Sequence, residues 1–181
     1  MKYLILALSI LGIGVYTMKS NSFKYYGVPP IGKDIFISSL IGYVCLILGN
    51  GSNENADLLI AETIKSETQN AEAVDYSTDY GEGLGQFDKS TFVDVISRIS
   101  IEKKQQVFKY FLIDLDTVKY EDLRRSPLLS VVLIRLKYLL IPAAIPVDLK
   151  ERYNYYKVHY NSIHGKATLA HYFASNGYIN V

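Results

Sequence analysis

Apolar residues fall in two kinds of block along this chain. Tyr3 to Met18 is an uncharged run behind Lys2, and Asp34 to Gly49 holds a second run interrupted by Ser38, Ser39 and Gly42. Beyond Ser52 the pattern changes to the three-and-four spacing of helices with one apolar face. Asn55 stands where a cap is wanted, and Asp57 follows in the first turn, where the helix dipole favours an anion. Phe92, Val95, Ile96 and Ile99 share a stripe behind Asp88 and Ser90, either of which suits the cap position. Val107, Phe108, Phe111 and Leu112 continue the periodicity in the next segment. Ser126-Pro127 is a cap with proline at the first helical position, and Pro142 stops that helix. Asp148 opens a helix through the tyrosine-rich "ERYNYYKVHY", and a last one from about Lys166 ends at Asn176-Gly177. No alternating strand pairs and no repeats interrupt this, so the predicted class is all-α.

The two apolar runs divide the chain. Tyr3–Met18 as a helix spans about 24 Å, somewhat short of the ~30 Å hydrocarbon core. A short uncleaved membrane anchor is the first reading, a cleaved signal the second and a core helix the third, because no small-x-small cleavage site follows. The second run has the length of a buried helix rather than a membrane span. "KSNSFKYYGVPPIGK", with Gly27, Pro29 and Pro30, reads as a linker. Residues 1–33 are therefore expected to form an anchor or signal segment plus linker, and residues 34–181 the globular domain. Lys19, Lys24 and Lys33 follow the first run, and the positive-inside rule would leave the domain cytoplasmic.

Charge excludes some partners. Lys and Arg number 19 against 18 Asp and Glu, a net +1, so no global field gathers nucleic acid. The 16 tyrosines with no tryptophan suit both a carbohydrate groove and ordinary half-buried packing. Cys45 is the single cysteine, so no internal disulfide forms. His159, His164 and His171 lack the spacing of a helical metal pair and read as structural or surface groups. No metal and no cofactor are expected.

One stretch, "KSETQNAEAVDYSTDYGEGLGQFDKSTF", concentrates candidate chemistry. In a helix over "ADLLIAETIKSET", Ile60, Thr63, Ile64 and Glu67 share a face, while Glu62 points the opposite way, toward solvent. Glu67 then ends the helix on its core side, where desolvation and the dipole's negative end both raise a carboxyl pKa. Such a group can protonate a leaving oxygen. The same position also suits a hydrated glutamate at a frayed helix end. Gly81, Gly83 and Gly85 alternate with Glu82 and Leu84 before Gln86-Phe87. No P-loop Lys-Ser/Thr follows, so this is a poor phosphate cradle. A turn bringing backbone and a glutamine amide near a ligand, or a plain glycine-rich connection, both fit.

At this point the chain resembles soluble-type lytic transglycosylases and related phage lysozyme-like proteins. Those share a helix ending in Glu-Ser/Thr, a loop, Gly-Leu-x-Gln-Phe and a later Thr. Here the matching residues are Glu67-Thr68, Gly83-Leu84-Gly85-Gln86-Phe87 and Thr91. "SPLLSVVLIRLKYLLIPAAIP" and "YYKVHYNSIHGKATLAHY" are similar to later helices of phage-borne members, and Tyr160-Asn161 to the family's Tyr-Asn motif. The usual Ala-Gly after that motif is Ser162-Ile163 here. The resemblance spans roughly Asp57 to Gly177. It implies a lysozyme-like helical fold that cleaves the β-1,4 bond between N-acetylmuramic acid and N-acetylglucosamine in a peptidoglycan strand. Glu67 would be the catalytic acid and then base, closing a 1,6-anhydro sugar. Thr68, Gly83, Leu84, Gly85, Gln86, Phe87, Tyr160 and Asn161 would bind substrate, with the Tyr160 hydroxyl orienting Glu67.

Glu82 departs from the family's small or apolar residue, and Asp88 lies close behind. As a second carboxylate either would make the reaction hydrolytic, as in a muramidase. The reading adopted is that Glu82 is solvated and Asp88 caps its helix, which leaves transglycosylation. A non-catalytic membrane-anchored structural or glycan-binding relative is the alternative from another class. Expected partners are the peptidoglycan strand, a membrane through residues 3–18, and other virion or secretion-machine proteins. The expected location is a virion or its membrane, which resolves the conflict with a cytoplasmic orientation, with the bacterial envelope as alternative.

Overall fold

A computed structural model of the chain describes residues 26–72, 81–161 and 167–178. The run Tyr3–Met18 and His164 lie outside the described residues. The class is all-α, as expected. Helices α1 (Lys33–Leu48), α2 (Ala56–Thr68), α3 (Lys89–Arg98) and α4 (Ile101–Phe111) are followed by a 3-10 turn, Tyr120–Arg124. Then come α5 (Pro127–Leu139), α6 (Leu149–Tyr156) running into a π-helical turn at Lys157–Asn161, and α7 (Leu169–Ser175).

Helix α5 is the axis of the fold. It touches α1, α2, α3, the 3-10 turn and the π turn, and Val131, Val132, Leu133, Ile134 and Leu136 are all sealed from solvent. Each such side chain contributes about 1.5–3 kcal/mol of burial. The Ser126 hydroxyl accepts from Leu129 N at 3.1 Å, with proline at the first position, as the sequence predicts.

Helix α1 is the second apolar run, and it is a core helix. Ile37, Ile41, Val44, Cys45 and Leu48 form its buried stripe, and no helix among the described residues is long and apolar enough to cross a membrane. The segment read as a linker joins the domain from Tyr26 onward: Tyr26 and Val28 are buried. Gly27, at φ +76°, turns there directly against the Arg125 carbonyl.

Other caps follow local chemistry. Asp88 accepts from Thr91 N at 2.7 Å, Ser100 from Lys103 N at 3.3 Å, Asp148 from Glu151 N at 3.0 Å and Thr168 from His171 N at 3.1 Å. Asn55 occupies the cap position of α2 but makes no capping bond. The side-chain Oδ1 of Asn50 instead accepts from Asp57 N at 2.8 Å, so the preceding loop does the work expected of Asn55. Helix α7 starts three residues later than about Lys166 and stops at the predicted Asn176-Gly177, with Gly177 at φ +75°.

Candidate active site

Helix α2 is covered on two sides. Leu59, Ile60 and Ile64 face the core, and α6 and α7 close over the other flank. The expectation that Glu62 faces solvent therefore fails: it is 2 % exposed. Its carboxylate accepts from Arg152 Nε at 2.9 Å and Nη2 at 2.8 Å, from the Tyr172 hydroxyl at 2.7 Å and from the Tyr178 hydroxyl at 3.1 Å. A one-sided helical wheel cannot anticipate this, because the second cover comes from the far end of the chain. Its partner Arg152 stands on α6 among Lys150, Glu151 and Asn154, and nothing local in that stretch marks it as the buried cation.

Glu67 keeps partial exposure at the end of the same helix. Its Oε1 accepts from the Tyr156 hydroxyl at 2.7 Å. Burial raises its pKa above the ordinary carboxylate value. The Tyr156 hydrogen bond, the charge of Lys137, a hydrogen bond from Asn161 and His171 oppose that shift without cancelling it. Burial and the facing Glu67 carboxylate push the Tyr156 hydroxyl far upward, so it remains a donor. Asn161 is steadied in turn by Lys157, whose Nζ donates to its Oδ1 at 3.0 Å.

Tyr160 does not reach Glu67. Its hydroxyl donates to the Gly85 carbonyl at 2.7 Å, and its ring stacks on Tyr156 at 5.9 Å and 17°. The role expected of Tyr160 thus belongs to Tyr156, one helical turn earlier on the same face. Both tyrosines stand in "NYYKVHYN", and the sequence alone does not separate them.

The glycine-rich stretch is a closed turn. Glu82 and Phe87 exchange backbone hydrogen bonds at 2.7 and 3.0 Å. The Leu84 amide donates to Ser130 Oγ at 3.3 Å, and Tyr120 Oη donates to the Phe87 carbonyl at 2.7 Å. Thr68 Oγ1, beside Glu67, lies 3.2 Å from the Leu84 carbonyl and ties the turn to the end of α2. Thr68, Leu84 and Phe87 are essentially sealed, at 0, 0 and 2 % exposure. These side chains, expected against substrate, instead hold the turn from beneath. Gly83, at φ +71°, and Gly85 are also buried, pressed on Ser130 and on Tyr160 with Ile134. Close packing explains the glycines without a ligand. Gln86 keeps partial exposure at a left-handed φ of 47°, its Nε2 donating to Gly83 O and Tyr26 Oη, each at 3.0 Å.

Glu82 is not solvated. It is 7 % exposed and held by Arg124, whose Nε lies 2.6 Å from both carboxylate oxygens. Asp88 behaves as the expected cap: Thr91 N, Thr91 Oγ1 and Ser90 Oγ all donate to it, and its pKa is lowered.

Lys137 is a functional candidate that the sequence reading missed. Its Nζ donates to the Tyr160 carbonyl at 3.0 Å and sits 4.0 Å over the Tyr160 ring. Burial lowers its pKa to about 8, against the raising influence of Asp88, Glu67 and Asp94. Two clefts flank the site. One of about 340 Å³ is lined by Thr91, Asp94, Arg98, Lys137 and His159; another of about 490 Å³ by Lys65, Gln69, Glu72 and His171. Glu67 lines neither. Lys137 from the first and His171 from the second both act on its charge, so the acid is defined by its hydrogen bonds rather than by a cavity. No group of metal-ligating side chains occurs among the described residues. Set against protein-family models, curated proteins and solved structures, the chain matches none.

Proposed function

We propose that this chain is a peptidoglycan lytic transglycosylase of lysozyme-like fold, with Glu67 as its one catalytic carboxyl. The observation that carries the reading is the state of Glu67: a desolvated acid with a raised pKa, fixed by Tyr156, adjacent to the threonine that anchors the Gln86 turn. Burial raises the pKa of this carboxyl and so favours its acid form, which donates a proton to the glycosidic oxygen as the C1–O4 bond breaks. The carboxylate left behind takes the proton of the muramoyl 6-hydroxyl. O6 then bonds to C1, and no water is consumed. Tyr156 and Asn161 stabilise the transient carboxylate through their hydrogen bonds.

Retaining hydrolysis uses a second carboxylate about 5–5.5 Å away. Glu82 is committed to Arg124 and Asp88 to its cap, which favours the anhydro product over the hydrolytic one. Gln86, partly exposed on its turn, is the side chain we assign to the sugar's amide or hydroxyls. Delivery on a virion, tethered through residues 3–18, is the setting in which such an enzyme meets the wall without crossing a membrane.

The test is digestion of purified sacculi with the full chain, followed by mass analysis of the released muropeptides. Anhydro ends are expected, and release ceases with Glu67→Gln. Reducing ends would replace this reading by a muramidase, and undiminished release by Glu67→Gln would remove the catalytic assignment.

A further inference from the structure

We propose that the cleft beside Lys137 binds a carboxylate carried by the glycan strand, so that the protein recognises its substrate partly by charge. This rests on the peptidoglycan reading and names a subsite within it. Lys137 makes no ion pair with any carboxylate among the described residues. The nearby acids are already engaged. Asp94 pairs with Arg98 at 3.1 Å, and the Asp88 carboxylate serves the Ser90 and Thr91 donors. Glu67 is committed to Tyr156 and Asn161. The ammonium has three protons, and one goes to the Tyr160 carbonyl. Desolvating a charge without a counterion is costly.

The same group borders the 340 Å³ cleft, whose wall also carries the mutually paired Asp94 and Arg98 and the Ser90 and Thr91 hydroxyls already given to Asp88. An anion entering there meets an ammonium fixed over an aromatic ring by Tyr160 and Phe87, 4.0 and 5.7 Å from their centroids. Neutral sugars gain nothing comparable from that charge. The amino-sugar strand offers two carboxylates of this chemistry: those of its peptide stem, and the lactyl group exposed when the stem is removed. Lys137 Nζ is bonded to the Tyr160 carbonyl, and the Tyr160 ring stacks on Tyr156, the donor to Glu67, which sets the subsite beside the acid.

The experiment compares KM of the full chain on native glycan and on the same glycan with its carboxyls amidated. A third substrate, stripped of stems by an amidase, carries lactyl carboxylates alone. For the parent, the ratio of KM on amidated to native glycan is expected to be about ten, the strength of one charged hydrogen bond. The ratio falls to about one in Lys137→Met and recovers in Lys137→Arg, which keeps the charge. Preference for stripped over amidated glycan assigns the lactyl group, and its absence assigns the stem. A ratio near one in the parent, or one unchanged in Lys137→Met, overturns the subsite.

If the parent releases nothing from any substrate, the lytic reading fails by itself. The subsite is then read by calorimetric titration with a soluble muramoyl dipeptide against a neutral chitin tetramer. Binding of the dipeptide that is lost in Lys137→Met sustains it, and equal or absent binding overturns it. Melting curves of both variants show whether a change in ratio reflects misfolding.

Discussion

Glu62→Gln isolates the one ion pair among the described residues whose two side chains are both buried. The substitution keeps size and shape but removes the charge that balances Arg152, at 5 % exposure and bonded to Glu62 through two nitrogens. One amide oxygen can still accept, yet in either orientation the amide NH2 now faces an Arg152 N–H together with the hydroxyl of Tyr172 or of Tyr178. Breaking a buried pair on one side costs about 3–5 kcal/mol. For a chain of this size, 1 kcal/mol moves Tm by about 2–4 °C, so a fall of about 6–20 °C is expected. A solvent-facing glutamate would instead change stability by less than about 0.5 kcal/mol. Thermal unfolding followed by far-UV circular dichroism distinguishes the two. Replacing both partners, Glu62→Leu with Arg152→Met, should recover much of the loss, because the uncompensated charge goes with it. A Glu62→Gln protein melting within about 2 °C of the parent would refute the buried pair.

Three further outcomes are expected. Glu67→Gln should lose activity while gaining stability at neutral pH. Because the folded-state pKa is raised, the folded chain keeps a proton that the unfolded chain loses above its ordinary value, and parent stability falls as pH rises through that window. Melting curves of parent and variant should therefore diverge as pH rises from about 4.5 and coincide below it; parallel curves would contradict the shift. Tyr156→Phe removes a 2.7 Å donor from Glu67. The basic limb of the kcat profile should move upward, with kcat down about tenfold, and an unmoved limb would detach Tyr156 from the acid. In Gly85→Ala the new methyl overlaps the Tyr160 hydroxyl and stands 2.8 Å from Ile134 Cγ1. Overpacking of this kind costs about 1–3 kcal/mol, and a variant that melts like the parent would mean the turn is loosely seated.

The helices were legible because their signals are local. Ser126-Pro127, Asp88 and Asn176-Gly177 mark ends through chemistry within a few residues, and all three stand where expected. Glu67 was legible for the same reason: its stripe and its place at a helix end follow from periodicity. What escaped depends on contacts between distant segments. Glu62 and Arg152 are 90 positions apart, Lys137 meets Tyr160 across two helices, and Glu82 meets Arg124 from another turn. Each is a charge whose burial is decided by what packs above it. The exchange of Tyr156 for Tyr160 has a subtler origin. Both lie on one face, and only the docking angle of α6 decides which hydroxyl meets α2.

Arg152 and Tyr156 sit one turn apart on α6, and they grip Glu62 and Glu67 on α2. Like two teeth of a gear, they mesh only in one phase. An inserted or deleted residue between positions 152 and 156 would turn one tooth by about 100° relative to the other, so a stable clasp and a correctly aimed proton donor would become alternatives. Sequence drift can therefore exchange side chains in that interval more easily than it can change its length.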